Sequence, residues 1–278
     1  LQLPLDFGNL GQRIVNLPNT SEDNYIRIVQ NLEQLLEKPK VKNREAIAKA
    51  FQLAIELCPQ ENPSDLWHHV IYRSYLKIRP GGTNPEQSWV RSSGDAFEMF
   101  LANKYNPLLK QSGLRLRTLF SHKEKENALT RLEIGDEIGS SKIDLLIEKI
   151  GIARGRGLDG FGVLGAIHAK VSLAERVSDD VPTSRILMRE GFLSILATLD
   201  VKSFPPPAGD LINKGELGTP AKPSDKRLYI EKHGEFNACF SFNTRSVPSL
   251  ETTESGKRIY YVDVTENPDK LLQYLITV

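Results

Sequence analysis

Cysteine is scarce in this sequence: Cys58 and Cys239 are the only two, far apart and outside any CxxC spacing. They offer neither a disulfide framework nor a zinc cluster. Long apolar runs are missing too, since no stretch approaches the roughly 20 residues a membrane-spanning helix needs. The first residues show no basic-then-apolar leader pattern. The expectation is a cytoplasmic protein without membrane contact. Nor is there an excess of charge of one sign: 36 Lys and Arg against 35 Asp and Glu leave +1, too little to hold nucleic acid by bulk electrostatics alone. Internal repeats and low-complexity tracts are absent. What is present, 40% hydrophobic and 26% charged residues in a chain of 278, fits a globular protein that can bury a substantial core as one domain or two.

Basic residues are clustered where they are not in excess. Lys149, Arg154 and Arg156 bracket one loop, and Lys222, Lys226 and Arg227 form a second group; each group can meet phosphate or simply face water.

The first hundred residues read as helices. Ser21 caps a segment whose Tyr25, Ile28, Val29, Leu32, Leu35 and Leu36 recur at helical spacing until Pro39. Asn43 begins a second, with Ile47, Phe51, Ala54, Ile55 and Cys58 on one face, and a third follows Ser64 up to the breaker Arg79-Pro80-Gly81-Gly82. His68 and His69 are adjacent on that third helix and point different ways, which makes them a poor metal pair. A fourth helix is expected from about Gly94 to Lys110, with Phe97, Phe100, Leu101 and Tyr105 inward and Glu98 at the margin of the stripe. Residues 114–120 alternate like a strand, and 122–126 read as a charged loop. Beyond Lys170 the chain turns helical through Arg176, breaks at Ser178-Asp179-Asp180-Val181-Pro182, and resumes over 183–199. The Pro- and Gly-rich residues 201–224 read as a long loop, functional or disordered. Residues 238–244 and 258–264 read as strands ahead of a short helix after Pro268. The division this suggests is a mostly helical part over 1–130 packed on a core over 131–278.

Chemistry concentrates in 139–176. Within 142–148, Ile143, Leu145 and Ile147 alternate with Asp144, Leu146 and Glu148, the period of a half-buried strand. Residues 161–167, ending in His168-Ala169-Lys170, have the length and flanks of a neighbouring strand beyond a loop holding Gly151, Gly155, Gly157 and Gly160. Paired, the two strands let Asp144 and Lys170 face one another. Cross-strand charge pairs are common on sheets. Here, however, the carboxylate stands among Ile and Leu, where burial without a partner costs several kcal/mol, roughly. A cation beside it is expected: Lys170 is one, a divalent metal another.

Asp144 on one strand, a hairpin, and Lys170 at the end of the next resemble the core of the PD-(D/E)xK nucleases, with His168 where the second acid would stand two residues before the lysine. In the subgroup of type II restriction endonucleases that cut sites containing CCGG, that acid is likewise missing from the strand and a carboxylate of the following helix is used. Past Lys170, V-S-L-A-E-R matches the subgroup's acidic residue and arginine. The stretches S-D-L-W-H-H-V, S-W-V-R, V-K-S-F-P-P-P and G-E-L-G-T-P extend the resemblance over nearly the whole chain.

The resemblance implies an α/β fold, a restriction-endonuclease-like core whose mixed central sheet is flanked by helices, with a largely helical N-terminal part. It implies Mg²⁺-dependent hydrolysis of double-stranded DNA at a palindrome containing CCGG, ACCGGT or a close relative, leaving 5′ overhangs, by a homodimer on the DNA. Asp144 and a helix carboxylate would hold the metal with the Ala169 carbonyl, and Lys170 would orient or activate the attacking water. Glu98 would be the upstream glutamate that the subgroup often brings to this site, although a plain helix-surface glutamate fits the spacing as well. Asp179, Asp180 and Glu190 are the candidate helix carboxylates. Asp180 ranks first, while the subgroup's own position falls at Thr183 or Ser184; Asp179 and Asp180 also suit the acidic start of a helix. Glu175 and Arg176 would read bases, since an arginine fork matches guanine O6 and N7 and a carboxylate accepts from cytosine N4. Two other readings stand beside this one: a structure-selective nuclease on the same core, such as a resolvase or exonuclease, and a DNA-binding module in which Asp144 and Lys170 form only an ion pair.

Overall fold

Capping and apolar spacing decide where the N-terminal helices begin. Ser21 accepts from the Asn24 N–H at 3.1 Å and opens α1 (Glu22–Glu37), and α2 (Asn43–Leu57) follows. Asn62, not Ser64, caps α3 (63–78), accepting from the Ser64 N–H at 3.1 Å; its middle, Leu66–Tyr72, widens into π-helical turns. Asn84 caps α4 (Pro85–Leu109) with Pro85 in its first turn, so this helix starts well before Gly94. The computed structural model describes residues 1–7, 11–78, 84–135, 143–157, 159–174, 176–202 and 212–278, with Arg176 as backbone only. The breaker at 79–82, Lys142 and residues 203–211 of the Pro-rich loop therefore lie outside the described residues.

Two elements differ from the sequence reading ahead of the main sheet. A hairpin, β1 (Gln2–Asp6) and β2 (Gln12–Asn16), precedes α1. Residues 122–126 belong to α5 (His122–Leu132) and not to a loop: Ser121 accepts from the Glu124 N–H at 3.2 Å while the Glu124 carboxylate accepts from the Ser121 N–H at 2.7 Å, a capping box.

The main sheet is mixed. β3 (Leu114–Thr118), β4 (Leu145–Ile150) and β5 (Phe161–Lys170) are antiparallel neighbours; β5, β6 (Leu193–Thr198), β9 (Ala238–Ser241) and β10 (Arg258–Tyr261) run parallel, with the order β10-β9-β6-β5-β4-β3. A two-residue pair, β7 (Gly218–Thr219) with β8 (Lys222–Pro223), lies apart from it. Where a helix was expected over 183–199, α6 (Arg176–Arg189) ends and β6 begins. Gly191 supplies the left-handed turn at φ +76°, and the bonds Phe192 N–H to Leu187 C=O (2.8 Å) and Gly191 N–H to Met188 C=O (3.0 Å) close the helix. Nor is α6 interrupted at Pro182. Proline forgoes one helical bond, but its ring faces solvent while Val177, Val181 and Leu187 are buried. Burying such side chains contributes about 1.5–3 kcal/mol each, enough to carry the helix through.

One apolar cluster joins α1–α4 to a sheet face bearing Leu116, Leu145, Ile147, Ile167 and Ala197. The opposite face is covered by α5 and α6, through Leu129 and Leu187 against Leu146 and Ala166, and by α7 (Asp225–Glu231), through Ile230, in the cluster that holds Leu196 and Cys239. α8 (Lys270–Thr277) returns Leu271 and Leu275 to the first cluster. β4 is therefore buried on both faces, and the half-buried reading of 142–148 is corrected: Leu146 and Glu148 are as buried as their neighbours. Glu148 tolerates this because Arg115 Nε (2.5 Å), Arg117 Nε (2.9 Å) and Arg131 all donate to it. No described helix is long and apolar enough to cross a membrane.

Candidate active site

Asp144 immediately precedes β4, whose register opposite β5 runs Leu145 to Ile167 and Leu146 to Ala166. One step further along the same register, Asp144 reaches the C-terminal end of β5. Its Oδ2 accepts from the Ala169 N–H and from Lys170 Nζ, both at 2.8 Å. From the second turn of α6, Asp180 brings its Oδ2 to 3.0 Å from the same ammonium. Both carboxylates are almost wholly buried, at 7% and 3% exposure. The cluster thus draws on two strands of the sheet and the helix packed over them, a rigid support.

His168 occupies the position two before the lysine. It is fully buried, with Nε2 3.1 Å from Ser194 Oγ, Nδ1 3.9 Å from Asp180 Oδ2 and its ring edge-on to Phe236. Glu98, from α4, is buried too, and its Oε2 has no hydrogen-bond partner. Burial, followed by the charges of Asp144 and Asp95, pushes the Glu98 carboxyl well above the usual glutamate value. For Asp144, burial pulls upward, but the adjacent Lys170 ammonium outweighs it and holds the carboxyl below its ordinary value. Burial works against the Lys170 ammonium as well; Asp144 and Asp180 outweigh it and raise the lysine above its normal range.

Among the described residues, no three His, Cys, Asp or Glu side chains stand close enough to hold a metal between them. Mg²⁺ does not need three, because it keeps several waters and is commonly bound through one or two carboxylates and substrate phosphate. Asp144, Asp180 and the Ala169 carbonyl are oxygen donors of that kind. The buried Glu98 oxygen without a donor is the atom that calls for a cation. The site fits a hard divalent ion.

The other helix carboxylates stand elsewhere. Asp179 faces solvent, and Glu190 sits past the last turn of α6, about 15 Å along the helix axis from Asp180 at ~1.5 Å per residue, with its Oε1 3.0 Å from Arg189 Nε. Thr183 and Ser184 are buried and neutral, Ser184 Oγ lying 2.6 Å from Ser194 Oγ. Glu175 lies outside the described residues, and Arg176 opens α6 with its side chain likewise outside them. His68 and His69 remain on α3, where burial lowers their pKa values to about 3 and about 4. Of the second basic group, Arg227 is fully buried, donating to the carbonyls of Leu217 (3.2 Å), Gly218 (3.3 Å) and Val247 and to Glu231 (2.5 Å), so it cannot reach phosphate.

One residue that spacing did not single out is Glu216, in G-E-L-G-T-P. It is buried and accepts from Ser172 Oγ, Leu173 N–H and Ala174 N–H, in the turn directly after Lys170. An isolated glutamate in a Gly- and Pro-rich loop carries no local signal of such a role.

Residues 120–266 match the family described as BsaWI restriction endonuclease type 2, and the chain belongs to that family: it is a type II restriction endonuclease, a site-specific deoxyribonuclease on the mixed-sheet restriction endonuclease fold. Over nearly its whole length it is similar to the type II restriction enzyme AgeI of Thalassovita gelatinovora, with 55% identity over 276 residues, 99% of each chain. The solved structure of a specific AgeI–DNA complex gives a TM-score of 0.94, covering 100% of this chain and 99% of that one. A solved pre-specific BsaWI–DNA complex is 20% identical, with a TM-score of 0.47, over 92% of this chain and 89% of that one.

Proposed function

We propose that this enzyme hydrolyses double-stranded DNA at a palindrome containing CCGG, ACCGGT or a close relative, leaving 5′ overhangs, with Mg²⁺ as its metal and two copies meeting on one site. The observation that carries the reading is the Lys170 ammonium, held between the buried carboxylates of Asp144 and Asp180 at the end of paired strands. The specific DNA complex of AgeI, at 55% identity over the whole chain, supports duplex DNA as the partner.

The chemistry a bound divalent ion supplies at such a site is a water of lowered pKa and positive charge against the phosphate. Asp144 and Asp180 would hold it as carboxylate ligands together with the Ala169 carbonyl, and the buried Glu98 of α4 would add its charge to theirs. Lys170, held by Asp144 and Asp180, contacts a scissile phosphate oxygen and orients or activates the attacking water. Glu175 and Arg176, five and six residues after Lys170 in the sequence, read the G·C pairs. A palindrome read this way places one copy on each half-site, related by the DNA two-fold, with one strand cut by each.

Digestion of a plasmid of known sequence with and without Mg²⁺, followed by sequencing of the fragment ends, tests this. Discrete fragments with 5′ overhangs at CCGG-containing palindromes are expected. Smearing, end-dependent degradation, or discrete cuts at unrelated sites would overturn it.

A further inference from the structure

The link from the cutting strand to the reading helix is only a few residues long, and its geometry is held from outside. Ala174 lies in the left-handed region at φ +33°, which side-chain-bearing residues seldom adopt. The N–H groups of Leu173 and Ala174 are bonded from outside this turn. Both find Glu216: Leu173 N–H donates to Oε1 at 3.1 Å and Ala174 N–H to Oε2 at 2.7 Å, while Ser172 Oγ donates to Oε1 at 2.7 Å. Lys226 Nζ stands 3.7 Å from Oε2. Three donors on one buried carboxylate make a rigid clamp.

The clamp is itself anchored. The Glu216 N–H donates at 2.6 Å to Oδ1 of Asp200, the fully buried residue two past the end of β6, and Ser246 Oγ holds the other oxygen of Asp200 at 2.7 Å. At Gly215 a Cβ would stand 2.2 Å from Asp200 Oδ2, so the close approach that seats Glu216 needs glycine there. A line of direct hydrogen bonds thus runs from the end of β6 through Glu216 to the turn. That turn has Lys170 two residues before it and Glu175 and Arg176 directly after it.

We propose that Glu216 is a positioning residue that fixes the 172–174 turn and thereby the register between the cutting centre at Lys170 and the reading pair Glu175 and Arg176, making it a determinant of sequence discrimination. This rests on the function proposed above. A turn free to relax would let Arg176 and the scissile phosphate be satisfied independently, so altered sites would be cut with less penalty.

Single-turnover cleavage rates in Mg²⁺ on an ACCGGT duplex and on duplexes with one altered base pair, for wild type, Glu216→Gln and Ser172→Ala, test the proposal alongside thermal melting. The glutamine amide cannot accept from both N–H groups and sets its own NH₂ against one of them. The ratio of cognate to altered-site rates is expected to fall about tenfold or more in Glu216→Gln, the scale of one base-pair mismatch. Ser172→Ala, which keeps both backbone bonds, should show a smaller fall in the same direction. A ratio within about twofold of wild type in both variants, whatever their melting temperatures, overturns the proposal, since one mismatch is worth far more than that. If Glu216→Gln does not fold, an unchanged ratio in Ser172→Ala overturns it equally. A wild type that itself fails to discriminate removes the underlying function; a discriminating wild type with unchanged variants removes this proposal alone.

Discussion

Glu98 makes the electrostatics of the site measurable without DNA or metal. Its carboxyl is buried beside Asp144 with one oxygen unpartnered, and burial first, then Asp144 and Asp95, raise its pKa well above the usual value. A carboxyl raised in the folded state contributes stability that is fully present below its unfolded pKa, about 4.3, and is lost as pH rises through the folded value. Glu98→Gln keeps the shape and removes the titration. In EDTA at pH 4, below the unfolded value, the two proteins should therefore melt together, and with rising pH the variant should become the more stable one. A buried polar group left unsatisfied costs about 1–3 kcal/mol. At about 2–4 °C per kcal/mol for a chain near this size, the gain at pH 9 should be roughly 2–12 °C. Circular-dichroism melts from pH 4 to 9 read it. Adding Mg²⁺ should raise the wild-type Tm more than the variant's, and cleavage by the variant should fall. A variant that melts below wild type by the same margin at every pH would refute the reasoning, because Glu98 would then be making a contact that the folded state needs.

Asp180→Asn should reduce the single-turnover cleavage rate by about a hundredfold or more, the scale on which active-site groups are felt, whereas Asp179→Asn and Glu190→Gln stay near wild type; a larger effect at either of those two would displace Asp180. Arg176→Ala should erase the preference for an ACCGGT duplex over a scrambled one in gel shifts with Ca²⁺, a loss of about 1–3 kcal/mol per guanine contact, with weak salt-sensitive binding retained; an unchanged ratio would exclude Arg176 from base reading. Arg227→Met should cost about 3–5 kcal/mol in urea unfolding by removing the buried guanidinium from the half-buried Glu231 and stranding three carbonyls. In the folded fraction it should leave the salt dependence of DNA binding unchanged, and a slope shallower by about one would mean a lost phosphate contact after all.

How far the sequence revealed this arrangement depended on whether the signal was local. Asp144 and Lys170 were legible because a carboxylate within an Ile and Leu run needs a cation, and a ten-residue β5 fixes which one reaches it. The N-terminal helices are legible from their apolar spacing, whereas the start of α4 at Pro85 lies ahead of the expected Gly94; a helix interior with open space beside it tolerates that glycine. The capping box at Ser121 and Glu124 was present in the sequence and outweighed by the density of charge around it. β6 read as helix because a short buried apolar run has no distinguishing period, and only the turn at Gly191 separates it from α6. β1 and β2 were missed, although Leu3 and Leu5 alternate with exposed residues. Asp180 could not be chosen over Asp179 from spacing alone, since the choice depends on α6 running unbroken through Pro182. Glu216 was beyond reach, because its partners lie more than 40 residues away in sequence.

The measurement that bears most directly on the active centre compares Asp144→Ala and Lys170→Ala with wild type on a duplex carrying one ACCGGT site, cleavage in Mg²⁺ beside binding in Ca²⁺. Cleavage should disappear in both variants while specific binding and the melting transition persist. Cleavage by either variant within a few-fold of wild type, or loss of both activities with the fold intact, would contradict the assignment of the chemistry to this pair.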